Sequence, residues 1–247
     1  MMFKKDYYVD WGDVDLKKEL KLSTLFSFFQ EASSDASDDL GYSIDRLQKE
    51  FGVAWVLMKM RVDLIRSPKL SETITIETWP LEPTRLSYDR DFLVKDSDGN
   101  IIVRAISTWI IMDLKERKID RNQRANITYP VQVNERAIDA KMKKLKAAGP
   151  LSPAYKKMIG YSDIDFNGHL NNARYVDYIM DCFQVSDHEK YKVDSLEVHF
   201  TNEALPGEVI TLKSDVSQAL EGGIYIEGVN DETDQIVFKS KAVISDM

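Results

Sequence analysis

Between Asp163 and Asn172 the chain reads DIDFNGHLNN, and three side chains in that run could act together on one small group. Asp165 offers a carboxylate, Asn167 an amide and His169 an imidazole. Such a set can deprotonate or orient a water while holding a polarised carbonyl in line. Directly after it, Tyr175, Val176, Ile179, Met180 and Phe183 recur at about one helical turn, so Asn171 or Asn172 is expected to cap a helix. A capped helix start presents unpaired N–H groups and a partial positive charge, suited to polarising a carbonyl or holding an anion. The bland alternative is that Asp and Asn here only bond their own backbone, as turn and cap residues do.

The elements that must position these groups belong to a chain of 247 residues, enough for one large domain or two small ones. A composition of 43% hydrophobic and 30% charged residues is that of a soluble globular protein. No apolar run approaches the roughly 20 residues that a membrane span needs, and MMFKKDYYVDW has no apolar signal core. The single Cys182 excludes an internal disulfide and fits a reducing, cytoplasmic setting. It falls in the helix expected after the polar run and reads as a buried thiol rather than a nucleophile. His188 and His199 have no Cys or His companions at metal-ligand spacing, and the chemistry suggested by Asp165, Asn167 and His169 requires neither metal nor cofactor. The net charge of −8 argues against nonspecific nucleic-acid binding. That charge is uneven: from Lys115 to Gly149 ten Lys/Arg face four Asp/Glu, a net +6 that leaves −14 on the rest. A basic segment on an acidic body can serve as a docking strip for an acidic partner, or simply be a solvated helix.

The polar run has a counterpart near the N-terminus. GDVDLKKELKLSTL (Gly12–Leu25) aligns without gaps on SDIDFNGHLNNARY (Ser162–Tyr175) at an offset of 150, placing Asp13, Asp15 and Leu20 on Asp163, Asp165 and Leu170. An apolar helix follows in both, carried in the first copy by Leu22, Leu25, Phe26, Phe29 and Ala32. The chemistry does not repeat: Lys17 stands for Asn167, Glu19 for His169 and Leu22 for Asn172. A second pair, Arg61–Glu77 and Glu197–Lys213, aligns at an offset of 136, so the first copy holds an insertion, placed at Ser33–Val53, which could cover a pocket mouth. It reads as the helix end, a turn at Gly41 and a short helix over Ile44, Leu47 and Phe51. Strands are expected at Trp55–Arg66, Glu72–Trp79, Ser87–Val94 and Ile101–Leu114, and again at Lys192–Phe200, Glu208–Ser217, Ile224–Val229 and Ile236–Ser245. The pattern is an α+β fold in which a long helix is wrapped by a curved antiparallel sheet, done twice. The division is 1–115, a basic linker 116–150 with a helical stretch at Asn134–Lys146, and 151–247.

The order strand, helix, four strands, with D-x-N-x-H-x-N-N before the second helix, resembles the acyl-acyl-carrier-protein thioesterases of plants and bacteria. The likeness covers essentially the whole chain and rests on Asp165, Asn167, His169, Asn171 and Asn172, in the equipped copy alone. It implies two tandem hot-dog domains and hydrolysis of a long- or medium-chain acyl-carrier-protein thioester to free fatty acid, ending fatty acid synthesis. The partner it implies is acyl-carrier protein bearing a 4′-phosphopantetheine-linked chain, with neither nucleic acid nor membrane involved, and it allows a homodimer. A glutamate near the start of a following strand completes that family's site and maps here to Glu203; the cysteine that often follows it is replaced by Ala204, which removes a Cys–His–Asn mechanism. The family's acyl chain lies in the N-terminal domain, where Phe26, Phe29, Trp55 and Met58 could line it. Lys141, Lys143, Lys144 and Lys146, with Arg174 near the site, are the expected carrier contacts. Either Asp165 or Glu203 can be the general base, worth about 10²–10⁴-fold. Helix N–H groups can stabilise the oxyanion, worth about 10²–10³-fold. A coenzyme A thioesterase and a non-catalytic acyl-binding module are the competing readings. An enoyl hydratase fits less well, because Gly168 follows Asn167 where that family has proline.

Overall fold

Along Val53–Leu64, Met60 and Val62 are sealed from solvent while Lys59, Arg61 and Asp63 stay partly open, the period-two burial of a strand packed on one face. The computed structural model describes residues 2–128, 133, 135–219 and 222–247. In chain order its elements are β1 (Phe3–Tyr8), α1 (Leu22–Asp39), α2 (Ile44–Arg46), β2 (Val53–Leu64), β3 (Thr73–Pro80), β4 (Tyr88–Lys95), β5 (Ile101–Asp113) and β6 (Lys118–Ile119). There follow β7 (Ser152–Met158), α3 (Asn172–Met180), β8 (Tyr191–Phe200), β9 (Val209–Asp215), β10 (Ile224–Asn230) and β11 (Ile236–Asp246). The eight strands expected from alternation are all present, to within two residues at either end.

These strands form a single antiparallel sheet in the order β1-β3-β4-β5-β2-β8-β11-β10-β9-β7, with β6 added to β5. The order reads the same from either end once each strand is exchanged for its repeat partner. The halves join where β2 meets β8, Met60 opposite Val198 and Val62 opposite Leu196. The duplication extends to backbone detail. Trp11–Asp13 and Tyr161–Asp163 both form a 3₁₀ turn, and Lys18 and Gly168 both adopt positive φ, 60° and 78°. Leu20 N donates to Pro68 O at 2.8 Å as Leu170 N donates to Ala204 O at 2.9 Å.

Both long helices pack on one face of the sheet. Phe29 of α1 meets Phe92 of β4 at 4.8 Å between ring centres, while Tyr175 of α3 meets Phe200 and Phe238 edge-on at 5.6 and 5.4 Å. The helices are unequal, 18 residues against 9. α3 ends at Met180, so Phe183 and Cys182, expected within it, lie in the turn beyond; Phe183 packs there on His188 and Tyr191. The insertion folds as expected: α2 continues into a π-helical turn at Leu47–Phe51, closed by Gly52 at φ 64°, and Leu47 seals a small cluster with Val53, Tyr88, Ile111 and Ile127.

The helix expected at Asn134–Lys146 does not form. Asn134 lies outside the described residues, and from 135 to 149 the chain is an irregular strap. It runs over the face of the sheet away from α1 and α3, where Ala137 and Ile138 pack on Trp79 and Ile106. Its backbone groups are taken by the sheet. Ala137 N donates to Asp91 Oδ2 at 2.7 Å, Met142 O accepts from Lys59 Nζ at 3.1 Å, and Ala148 N and Gly149 N donate to Asp215 Oδ2 at 2.8 and 2.6 Å. A helix would spend those groups on itself, and at about 1.5 Å per residue it would span less than half the distance of an extended strap.

Candidate active site

The polar run is built twice, and the comparison separates scaffold from chemistry. Asp163 Oδ2 accepts from Gly160 N at 2.8 Å, and Asp13 Oδ2 accepts from Asp10 N at 3.0 Å, so this aspartate is a turn residue in both copies. Asp165 Oδ1 accepts from Asn167 N at 2.8 Å, just as Asp15 Oδ1 accepts from Lys17 N at 2.8 Å. The turn therefore accounts for one oxygen of Asp165. Its other oxygen faces the Asn167 amide at 3.5 Å. Asn171 is the helix cap, its side chain accepting from Ala173 N at 2.8 Å, which leaves Asn172 as the first residue of α3. Asn172 Nδ2 donates instead to Gln30 Oε1 of α1 at 3.3 Å, a contact between the two halves.

Glu203 stands in the connection from β8 to β9, with its Oε2 3.7 Å from His169 Nε2. The same oxygen is ion-paired with Arg117 from the turn between β5 and β6. All of these groups border one cavity of about 1400 Å³, whose wall includes Asp165, Asn167, His169 and Glu203 from the second half and Trp55 and Met58 from the first. His169 and Glu203 keep 25% and 43% of their side-chain surface exposed, so water reaches both. Tyr175 also borders the cavity, and burial holds its hydroxyl well above the ordinary tyrosine range, a neutral group at any working pH.

Residues 1–127 match the family model described as the acyl-ACP thioesterase N-terminal domain, and residues 154–245 match that of the C-terminal domain. The chain belongs to the acyl-ACP thioesterase family. Among curated relatives it is 24% identical over 220 residues to oleoyl-acyl carrier protein thioesterase 2 of Arabidopsis thaliana, covering 79% of this chain and 58% of that protein. To the acyl-[acyl-carrier-protein] hydrolase FATB3 of Cuphea viscosissima it is 23% identical, covering 89% and 56%. The chain thus spans less than two thirds of the length of these relatives. An acyl-ACP thioesterase structure from Bacteroides thetaiotaomicron superposes with a TM-score of 0.84 at 24% identity, over 99% of this chain and 98% of that one. The 12:0-ACP thioesterase of Umbellularia californica gives 0.80 at 20%, over 100% and 98%. The tandem hot-dog fold expected from the sequence is the fold of this acyl-ACP thioesterase family member.

In this thioesterase-family chain not every expected residue reaches the cavity. Phe26 and Phe29 do not line it: both are fully buried in the main core, on the apolar face of α1. The helix face turned to the cavity carries Ser27, Gln30, Ser34 and Ser37 instead. Lys141, Lys143, Lys144 and Lys146 are exposed on the strap and do not border the cavity. Arg174 is exposed in the first turn of α3, paired with Asp177 at 2.8 Å. Cys182 is half-buried, its thiol donating to Tyr178 O, and burial pushes its pKa up to about 12. His199 is buried on β8 with Nε2 2.7 Å from Glu197 Oε1. Among the described residues no group of three His, Cys, Asp or Glu is placed to hold a metal ion, and no helix is long and apolar enough to cross a membrane. Sequence reasoning missed Gln30 as a site residue and saw Arg117 only as one of ten cations. The available signal for Gln30 was an amide in a polar helix face of serines and the acids Glu31 and Asp35.

Proposed function

We propose that this chain hydrolyses medium- or long-chain acyl thioesters carried by acyl-carrier protein, releasing the free fatty acid. The observation that carries the reading is the approach of His169 to Glu203 at 3.7 Å, beside Asp165 and Asn167, on the wall of a cavity large enough for an acyl chain. The second domain (151–247) then holds the chemistry. The first (1–115) receives the chain along Trp55 and Met58, and residues 116–150 tie the two together.

In this mechanism the thioester carbonyl lies at the start of α3. The N-terminal turn of that helix and the Asn167 amide stabilise the oxyanion as it forms. A water held between His169 and a carboxylate, Glu203 or Asp165, loses its proton as it attacks the carbonyl carbon, and the C–S bond breaks to release the carrier thiol. Cys182 takes no part, since at neutral pH a thiol pushed up to about 12 is almost wholly protonated. Carrier docking is proposed at the cavity mouth beside Arg174, with the strap lysines as a second positive surface. The single thiol suits a reducing compartment such as the cytoplasm.

The test is turnover of a panel of acyl-carrier-protein thioesters from short to long chains, with the matching acyl-coenzyme A compounds as controls. Preferential cleavage of the carrier-borne substrates is expected. Equal or better cleavage of coenzyme A esters moves the substrate to that class. Tight acyl binding with no turnover leaves only a binding module.

A further inference from the structure

Glu203 belongs to the second half, yet the cation that holds it comes from the turn that follows β5, at the start of the segment joining the halves. Arg117 sits in the turn between β5 and β6, and that turn is fastened independently of the site. Asp113 Oδ1 accepts from Lys115 N at 2.8 Å and Glu116 N at 3.0 Å, Asp113 O accepts from Arg117 N at 2.9 Å, and Arg124 pairs with Asp113 Oδ2 at 2.6 Å. The backbone of Arg117 itself is in the left-handed region, φ 52°, where a residue with a Cβ is uncommon. From this turn the Arg117 side chain meets Glu203 on the cavity wall.

We propose that Arg117 is a positioning residue for Glu203, so that the hydrolytic site draws on the β5–β6 turn as well as on the second half. Arg117 and His169 both address Oε2 of Glu203. The guanidinium fixes the carboxylate where the imidazole can meet it and favours its ionised form. The arrangement occurs only in the equipped copy. In the first half Ser67 stands where Glu203 does, and Glu19, in the place of His169, pairs with its neighbour Lys17 at 3.3 Å. Stability does not explain the pair, because its members are 44% and 43% exposed and an ion pair this wet contributes little to folding. The inference rests on the hydrolase reading above and adds to it the residue that keeps its carboxylate in register.

Arg117 and His169 are paired with Glu203, and the same cavity wall carries Glu116, Lys118, Asp113, Asp120 and Arg121 from the β5–β6 side, Asp165 from the turn before α3, and Glu31 and Asp35 from α1. Removing Arg117 deletes the positive charge nearest the carboxylate, so the Glu203 pKa rises. With Glu203 as the base of the two carboxylates named above, the acid limb of kcat/KM then moves to higher pH. The experiment compares Arg117→Gln and Arg117→Lys with the unaltered chain in three readouts. These are the carboxyl-carbon NMR titration of Glu203, kcat and KM against pH on an acyl-carrier-protein thioester, and the same on a small acyl thioester.

For Arg117→Gln the expected result is an upward movement of the Glu203 titration, by well under about one pH unit because the pair is exposed. The acid limb should move with it, kcat should fall at least about tenfold on both substrates, and Tm should be nearly unchanged. Arg117→Lys should restore most of the loss. An unmoved titration and pH profile would overturn the proposal. So would a loss confined to KM for the carrier-borne substrate, which makes Arg117 a carrier contact instead. If the unaltered chain cleaves no thioester, the hydrolase reading falls and takes the catalytic meaning of the clamp with it, while the titration still reports whether the clamp exists.

Discussion

Substituting alanine at the matched positions 169 and 19 tests the division of labour between the copies, because the structure assigns opposite signatures to the two changes. His169 is partly exposed and its nearest charged partner lies at 3.7 Å, so His169→Ala leaves no buried group unpaired and should cost well under about 1 kcal/mol of stability. Its catalytic cost is that of a positioned acid/base group, about 10²–10⁴-fold, or roughly 2.7–5.4 kcal/mol at about 1.36 kcal/mol per decade. Glu19 has the reverse profile. Its carboxylate lies 3.3 Å from Lys17 Nζ, whose side chain is only 18% exposed against 43% for Glu203 beside His169, so its loss leaves a sheltered lysine without that partner. Such a change should cost up to about 1 kcal/mol, or about 2–4 °C in Tm for a chain of this size, with kcat within twofold. The assay is kcat on an acyl-carrier-protein thioester beside a thermal melt for each variant. Equal losses of activity at Glu19 and His169 would refute the reasoning.

Phe29→Ala should destabilise by about 3–5 kcal/mol without changing the acyl-chain profile, since the ring packs on Phe92 rather than on the cavity, whereas Met58→Ala should shift preference toward longer chains at little cost in stability; a chain-length panel and melts of both variants separate core from cavity wall. Cys182→Ser should keep most activity, and a thiol reagent should react slowly at neutral pH; complete inactivation traced to that one thiol would revive a cysteine mechanism. The Ser217 hydroxyl, with the backbone N–H groups of Gly149, Ser217 and Ala148, holds the Asp215 carboxyl down at about 2. Because the folded value is the depressed one, its contribution is present above about pH 4 and fades as pH falls toward 2. The protection of Ala148 and Gly149 against hydrogen exchange, taken relative to the intrinsic rate at each pH, should therefore fall across that window, and Asp215→Asn should remove that fall. At low salt, reversal at Arg174 should raise KM for carrier-borne substrates more than the double reversal Lys143→Glu, Lys144→Glu, because only Arg174 stands beside cavity-lining residues; rising salt should erase the difference.

What the sequence settled by itself is what short-range physics controls. Alternation of apolar residues placed eight strands because burial on one face of a sheet has period two, and the 150-residue offset exposed a duplication now visible in matched turns at Asp13 and Asp163. Asn171 was legible as one of two caps because capping is a bond to a backbone N–H two residues on. The helix face of α1 was legible as apolar, but amphipathicity only divides two faces and does not say whether the apolar one meets core or ligand. Phe26 and Phe29 met core. A helix is expected at Asn134–Lys146, yet from 135 onward the described chain is an irregular strap, because Asp91, Lys59 and Asp215 on distant strands claim its backbone groups. The candidate site was legible only where its residues are neighbours in sequence. Asp165, Asn167 and His169 share one turn, but Arg117 meets Glu203 across 86 positions and Gln30 meets Asn172 across 142. No local pattern encodes such pairs. They exist only because β2 pairs with β8 and brings the two halves together along one edge of the cavity.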